Sequence, residues 1–317
     1  MTPLSSREWV LKAQSPIWTG DADQKGGRMV TTGLLGSLRW WFEVLMRGLG
    51  GSACDPVDPN RRCPVENGKH CVVCELFGCT GWARKFRFDV LDENGKVKRD
   101  QIQRNETFRF RFTTLRPIRE EEWVLLDLTL RLIAEYGAIG GNTVFKPSDE
   151  KDRGKEPHHQ DYGLFAVVNR PDLPRMKKQE VKRYLASDWR RVKDDDFAWA
   201  SLQYFWSVKT KYLARQAFGE SSFNRVVGRR MKKPRGQQLF RKSQVEQWIA
   251  GKQQESKKVF SFKDPARTFG FVNPGLLNLD EMRERLKGVW QDLNNEEFLT
   301  GPAILDRLLR EAGGGAR

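Results

Sequence analysis

"RKFRFDVLDENGKVKRDQIQRNETFRFRFTTLRPI", residues 84 to 118, holds the key to the fold. "RKFRFDVL" and "ETFRFRFTTLRPI" alternate phenylalanine with arginine at a period of two, the pattern of strands with one buried face. Between them "DENGKVK" carries a turn signal at Asn94-Gly95. Working outward, "REWVLKAQ" at 7 to 14 reads as an earlier strand, followed by the polar loop "GDADQKGGRM". A helix is then expected from Thr32 to Gly48. "EEEWVLLDLTLRLIAEYG" reads as a second helix, with acidic residues in its first turn and Gly137 as its stop. "YGLFAVVN", ending at Asn169, supplies a last strand. The order β-α-β-β-α-β is that of a ferredoxin-like unit, so the fold class is α+β.

With 317 residues the chain is long enough for two domains, each with its own core. The expected division is 1–171, with a cysteine-rich insert at 52–75, and 172–317. The second half is expected to be ferredoxin-like but richer in helix. Its helix candidates are "QEVKRYLAS", "DDDFAWASLQYFWSVKTKYLARQAF" (194–218), "SQVEQWIAG", "LNLDEMRERLKGVWQDL" and "GPAILDRLLREA". "KKVFSF" and "RTFGFVN" are short strand candidates there.

Lys and Arg number 56 against 41 Asp and Glu, a formal charge of +15. Residues 207–267 alone hold 16 basic and 4 acidic side chains, an excess of +12. Such a belt is either a solvated face or an electrostatic footprint for nucleic acid, and Phe218, Phe223, Phe240 and Trp248 within it favour the second. Arg229, Arg230, Lys232 and Lys233 are its densest cluster. No apolar run approaches the roughly 18 residues of a spanning helix, and no apolar leader marks the N-terminus, so a cytoplasmic protein is expected.

On the helix from Thr32, residues Leu34, Leu35, Leu38, Trp41, Phe42, Leu45 and Leu49 repeat at three and four residue spacing and form a core face. Trp40 falls on the other side with Gly36, Glu43 and Arg47, flanked by Arg39. There it would stack on a base, meet another chain, or be covered by a neighbouring loop, and Arg47 counts with it among the candidate RNA contacts.

All five cysteines lie between 54 and 79. Cys71-Val-Val-Cys74 suits two thiolates on one zinc, and Cys54 and Cys63 would complete the set. A disulfide or free thiols are the alternatives. The intervening "DPVDPNRRCPVENGKHC" is polar and turn-rich, and needs a staple to be ordered. The 137–161 loop opens with Gly137, Gly140 and Gly141, which allow close backbone approach to a ligand or simply end a helix ahead of a flexible insert. Only three histidines occur, His70, His158 and His159. No nucleophile elbow, Walker loop or HExxH is present, so no enzyme activity is expected.

"QSPIWTGD", "TGLLGSLRWWFE", "CVVCELFGCTGWARKFRF" and "YGAIGG" together resemble the RAMP superfamily of CRISPR proteins, closely over residues 8–145 and loosely beyond. The resemblance implies ferredoxin-like folds related to the RNA recognition motif. It implies a non-catalytic scaffold subunit of a type III-B (Cmr) ribonucleoprotein, at the end away from the guide's 5′ handle. Its partners would be single-stranded guide and target RNA and other subunits, in antiviral defence, with no membrane. By position it assigns RNA contacts to Arg39, Trp40 and Trp41, to Arg84, Lys85 and Arg87, and to Gly137, Gly140 and Gly141, with Lys146 as the nearest early cation of that loop. For Trp41 this opposes the periodicity, which puts the ring in the core. "RTFGFVNP" partly resembles an RNP1 strand, but Thr268 replaces a glycine and Pro274 an aromatic. The alternatives are a RAMP-type endoribonuclease using His158 or His159, and a purely structural assembly subunit.

Overall fold

The computed structural model describes residues 5–20, 27–56, 58–65, 68–140, 147–152, 156–192, 196–216, 221–228, 243–251 and 255–311. By internal packing the chain forms two units, one of residues 1–141, 163–203 and 302–317, the other of 142–162 and 204–301. The chain therefore passes between units more than once, where one crossing near residue 172 is expected from sequence.

The first unit contains β1 (Ser6–Ala13), α1 (Thr31–Gly48), α2 (Val72–Phe77), β2 (Phe86–Asp92), β3 (Thr107–Thr114), α3 (Glu120–Tyr136), β4 (Phe165–Asn169) and α4 (Lys178–Leu185). Its sheet is antiparallel in the order β2-β3-β1-β4, the ferredoxin-like arrangement. Register follows the alternation: Trp9 faces Phe110 and Leu11 faces Phe108, while Phe88 faces Phe112. These apolar residues share one side of the sheet and are buried there. The Trp9 indole N–H donates to Asp127 Oδ1 of α3 at 2.8 Å, which ties the sheet to that helix. The opposite side carries charge, with Glu8 of β1 pairing to Arg109 and Arg111 of β3. Of the expected core positions, Leu34, Leu38, Trp41, Phe42 and Leu45 of α1 and Leu49 just after it are buried, while Leu35 is half-buried. From Trp41 to Arg47 every residue is buried, so only the first half of the helix shows an open side.

The second unit contains β5 (Phe205–Lys209), α5 (Ser222–Val226), α6 (Gln244–Ala250), β6 (Val259–Lys263), β7 (Ala266–Phe271), α7 (Leu279–Lys287) and β8 (Phe298–Thr300). The last of these leads into α8 (Gly301–Glu311). The sheet order β6-β7-β5-β8, again antiparallel, repeats that of the first unit. One expectation fails here: of the segment 194–218, the described residues 196–216 form no α-helix, and their centre is β5. Four successive residues of that strand, Phe205 to Val208, are buried because both sheet faces are covered. Such a run has no period of two to reveal it. Trp206 and Val208 join Phe223, Ile249, Val259 and Met282 in the core under the helices. Gly270 lies opposite Trp206 in the ladder, and a Cβ there would sit 2.3 Å from the Lys258 carbonyl oxygen and 2.8 Å from the indole. The RNP1-like phenylalanines are internal: Phe269, 2% exposed, stacks between Phe260 and Phe262 at 5.0 and 5.8 Å, and Phe271 is also buried.

Candidate nucleic-acid interface and cysteine cluster

The open side of α1 is built from small residues. Thr19 anchors the entry, its Oγ1 accepting from the Val30 N–H at 2.8 Å and donating to the Arg28 carbonyl at 3.1 Å. The helix then starts with no side-chain cap and no acid in its first turn, leaving its positive end unopposed. Thr32, Gly33 and Gly36 are exposed, and nothing lies within 4 Å of where a Gly36 Cβ would be. Ser37 Oγ accepts from the Gly140 N–H at 3.2 Å, so the helix and the glycine loop meet. Gly140 has φ +110°, and its Cβ would approach the Trp18 carbonyl oxygen to 2.5 Å. A Cβ at Gly137 would come within 2.5 Å of the Trp41 ring. These two glycines therefore serve close approach within the protein itself. Gly141 and Lys146 lie outside the described residues, as do Arg229, Arg230, Lys232 and Lys233.

The adjacent tryptophans part as the periodicity requires. Trp41 is 2% exposed, and its indole N–H donates to the Ala138 carbonyl at 2.8 Å. Trp40 is half-buried, edge-on to Trp41 at 5.0 Å. The surface role that the resemblance assigns to Trp41 is thus corrected to core packing, because a rotation of about 100° per residue separates the two rings.

Two cations, Arg47 and Lys85, are corrected with it, and a third, Arg39, is half-buried with partners inside the protein. Arg39 turns inward, donating to Glu43 Oε1 at 3.0 Å, the Gly78 carbonyl at 2.9 Å and Cys74 Sγ at 3.3 Å. Arg47 is buried, with Nη1 3.4 Å from the Ala200 carbonyl oxygen. Lys85 is buried between Glu122 Oε1 at 2.8 Å and Glu75 Oε1 at 2.5 Å. Arg84 is half-buried, and Arg87 is exposed on β2 beside Asp89. Among the carried-over residues that are described, Arg87 is exposed, while Arg39, Trp40, Arg84 and Gly140 are half-buried.

The cysteines converge. The sulfurs of Cys54, Cys63, Cys71 and Cys74 all lie within 4.8 Å of one another, every one buried, and Cys79 stands outside the group. None of the five is in a disulfide, so that alternative is not what the structure shows. Cys71 occupies the N-cap of α2 and Cys74 its first turn, so both present sulfur at one helix end. Cys54 and Cys63 come from the polar loop. Hydrogen bonds from Cys54 and Cys71 pull the Cys63 thiol far down, and the bond with Cys54 draws Cys71 down to about 7. Cys54 and Cys74, the donors in this exchange, are pushed up.

Beside the cysteines lies a buried polar network that single-residue reasoning does not find. Glu75 bridges Lys85 and His70, whose Nε2 is 2.6 Å from Oε2. Tyr184 of α4 donates to Glu122 at 3.0 Å. Burial opposes the charged form of Glu75, but hydrogen bonds from Lys85 and His70 outweigh it and hold its pKa below the ordinary value. The network joins α2, the residue just before β2, α3 and α4. The "ELFG" motif is its one signal in the sequence.

In the second unit, cations of the basic belt are partly paired: Lys211 with Asp292 at 2.6 Å, Lys263 with Asp149 at 2.6 Å and Arg215 with Glu150 at 3.8 Å. His158 is exposed and His159 buried, their ring centroids 4.2 Å apart. No helix among the described residues is long and apolar enough to cross a membrane.

Fold and surface together define an α+β protein of two ferredoxin-like units, one presenting a glycine-lined helix. Residues 10–145 match the sequence profile of the RAMP superfamily. Among the curated proteins, none matches this sequence. The chain is similar to apo Cmr1 from Pyrococcus furiosus at 9% identity, with a TM-score of 0.42 and 97% of this chain and 96% of that one covered. It is similar to a chain of a type III-B Cmr-beta complex bound to cognate target RNA, at 10% identity and a TM-score of 0.46, covering 91% and 99%. A Csm3–Csm4 subcomplex of a type III-A CRISPR-Cas interference complex follows at 12% identity and a TM-score of 0.27, covering 59% and 96%.

Proposed function

We propose that this chain is a non-catalytic RNA-binding subunit of a type III-B CRISPR ribonucleoprotein, seated at the end away from the guide's 5′ handle and acting in cytoplasmic antiviral defence. The RAMP profile over residues 10–145 supports the class. The observation that carries the RNA role is the open half of α1, where Gly33, Gly36 and Trp40 line a surface held against Gly140 through Ser37. Small residues let a sugar–phosphate backbone approach, an uncapped helix start attracts phosphate, and a half-exposed indole offers a stacking platform. Trp40→Ala should leave the melting temperature nearly unchanged and weaken single-stranded RNA binding by about 1 to 3 kcal/mol, the cost of one stacked base. Crosslinking of Trp40 to labelled guide or target in the assembled complex identifies which strand it meets. Unchanged affinity together with absent crosslinks would remove this surface from the RNA path.

A further inference from the structure

We propose that Cys54, Cys63, Cys71 and Cys74 hold one tetrahedral zinc ion as a tetrathiolate, and that Arg39 and Arg190 are the cations that compensate its charge. The site is independent of the RNA reading.

The sulfurs come from three separate places: the loop after α1, the insert, and the start of α2. Nothing apolar in the intervening stretch explains why they should gather, since "DPVDPNRRCPVENGKHC" is polar and rich in turns. With zinc–sulfur bonds of about 2.3 Å, ligand sulfurs at tetrahedral corners lie roughly 3.8 Å apart. The present group, within 4.8 Å throughout and with Cys54 and Cys74 already at 3.5 Å, needs only a small contraction.

The surrounding donors point to thiolates. Arg39 of α1 donates to Cys74 Sγ at 3.3 Å, Arg190 donates to Cys63 Sγ at 3.3 Å, and the Cys71 backbone N–H donates to Cys63 Sγ at 3.3 Å. Four neutral thiols give no reason to aim two guanidinium groups at sulfur. A zinc ion with four thiolates carries a net charge of −2, which the two arginines offset in part, Arg39 being shared with Glu43. N–H donors of this kind orient ligands and moderate their charge. Both arginines are fixed elsewhere too, Arg39 on Glu43 and Gly78 and Arg190 on the Arg62 carbonyl at 2.8 Å. The metal would then fasten α1, the insert, α2 and the segment around Arg190 to one point. All-sulfur tetrahedral sites select zinc or iron, and zinc needs no redox partner.

Elemental analysis and native mass spectrometry of the full chain should find one zinc per molecule, with Cys54, Cys63, Cys71 and Cys74 protected from alkylation and Cys79 open to it. Cys71→Ser should lose the zinc, and Cys79→Ser should keep it. In case Cys71→Ser fails to fold, wild-type protein stripped and refilled with Co2+ should show the intense visible bands of tetrahedral thiolate cobalt. Arg39→Gln and Arg190→Gln should keep the metal but release it to a chelator about tenfold faster, the usual scale for losing a group that supports a ligand. An apo chain with all five thiols alkylated under native conditions overturns the site, as does a disulfide among the four. Iron in place of zinc, or equal zinc loss in Cys71→Ser and Cys79→Ser, overturns it as well.

Discussion

The two ferredoxin-like units share a strand order and differ in what fills the first crossover. Between β1 and β2 stand α1, 18 residues long, and α2 with its cysteines. Between β5 and β6 the described residues form α5 and α6, of 5 and 7 residues. Strand order is set by alternation and register, which both units satisfy. The surface available to a partner is set by the crossover. In the first unit it leaves an open helix side at Gly33, Gly36 and Trp40. In the second, the aromatic residues at the RNP1-like positions are consumed by internal packing.

The largest effect that sharpens this contrast belongs to Trp41. Trp41→Ala removes a buried ring and its hydrogen bond to Ala138, and should destabilise by about 3 to 5 kcal/mol in denaturant titrations. A loss under about 1 kcal/mol would mean that α1 does not rest on this ring. Next comes Gly270→Ala, which should cost about 1 to 3 kcal/mol because the new methyl group meets the Lys258 carbonyl and Trp206. Gly36→Ala, its counterpart on an open helix, should instead stabilise by about 0.5 to 1 kcal/mol while weakening RNA binding. If both glycine variants moved stability the same way, the contrast between a packed and an open surface would fail. The smallest effect on folding is expected from replacing Arg229, Arg230, Lys232 and Lys233 together with alanine. Melting should not change, and the slope of log affinity against log salt should shrink by about 0.7 for each phosphate that is no longer neutralised. An unaltered slope would show the belt to be a solvated face.

Much of the first unit was legible because its strands keep one wet face, so Phe108, Phe110 and Phe112 alternate visibly with arginines. The α1 core face was legible for a similar reason, and periodicity separated Trp41 from Trp40 correctly. The cysteine set was readable from spacing, and its sulfurs meet. By contrast β5, dry on both faces, and β8, three residues long, leave no periodic trace. The fates of Arg39 and Lys85 were hidden for another reason. Periodicity gives the direction of a side chain, whereas Arg39 finds Cys74 and Gly78, and Lys85 finds Glu122, across more than thirty residues of chain. A basic residue beside a motif therefore reads as a phosphate ligand until its internal partner is seen.

The close approach of Gly137 to Trp41 also constrains how this chain can change over generations. The benzene half of the indole occupies the volume that any side chain at 137 would claim. The two positions share one space, so neither can drift alone. A larger residue at 137 becomes tolerable only after the ring at 41 has shrunk, and Trp41→Phe should partly rescue Gly137→Ala, whereas the reverse order passes through a misfolded ancestor. Among relatives, the sizes of the residues at these two positions should therefore vary inversely.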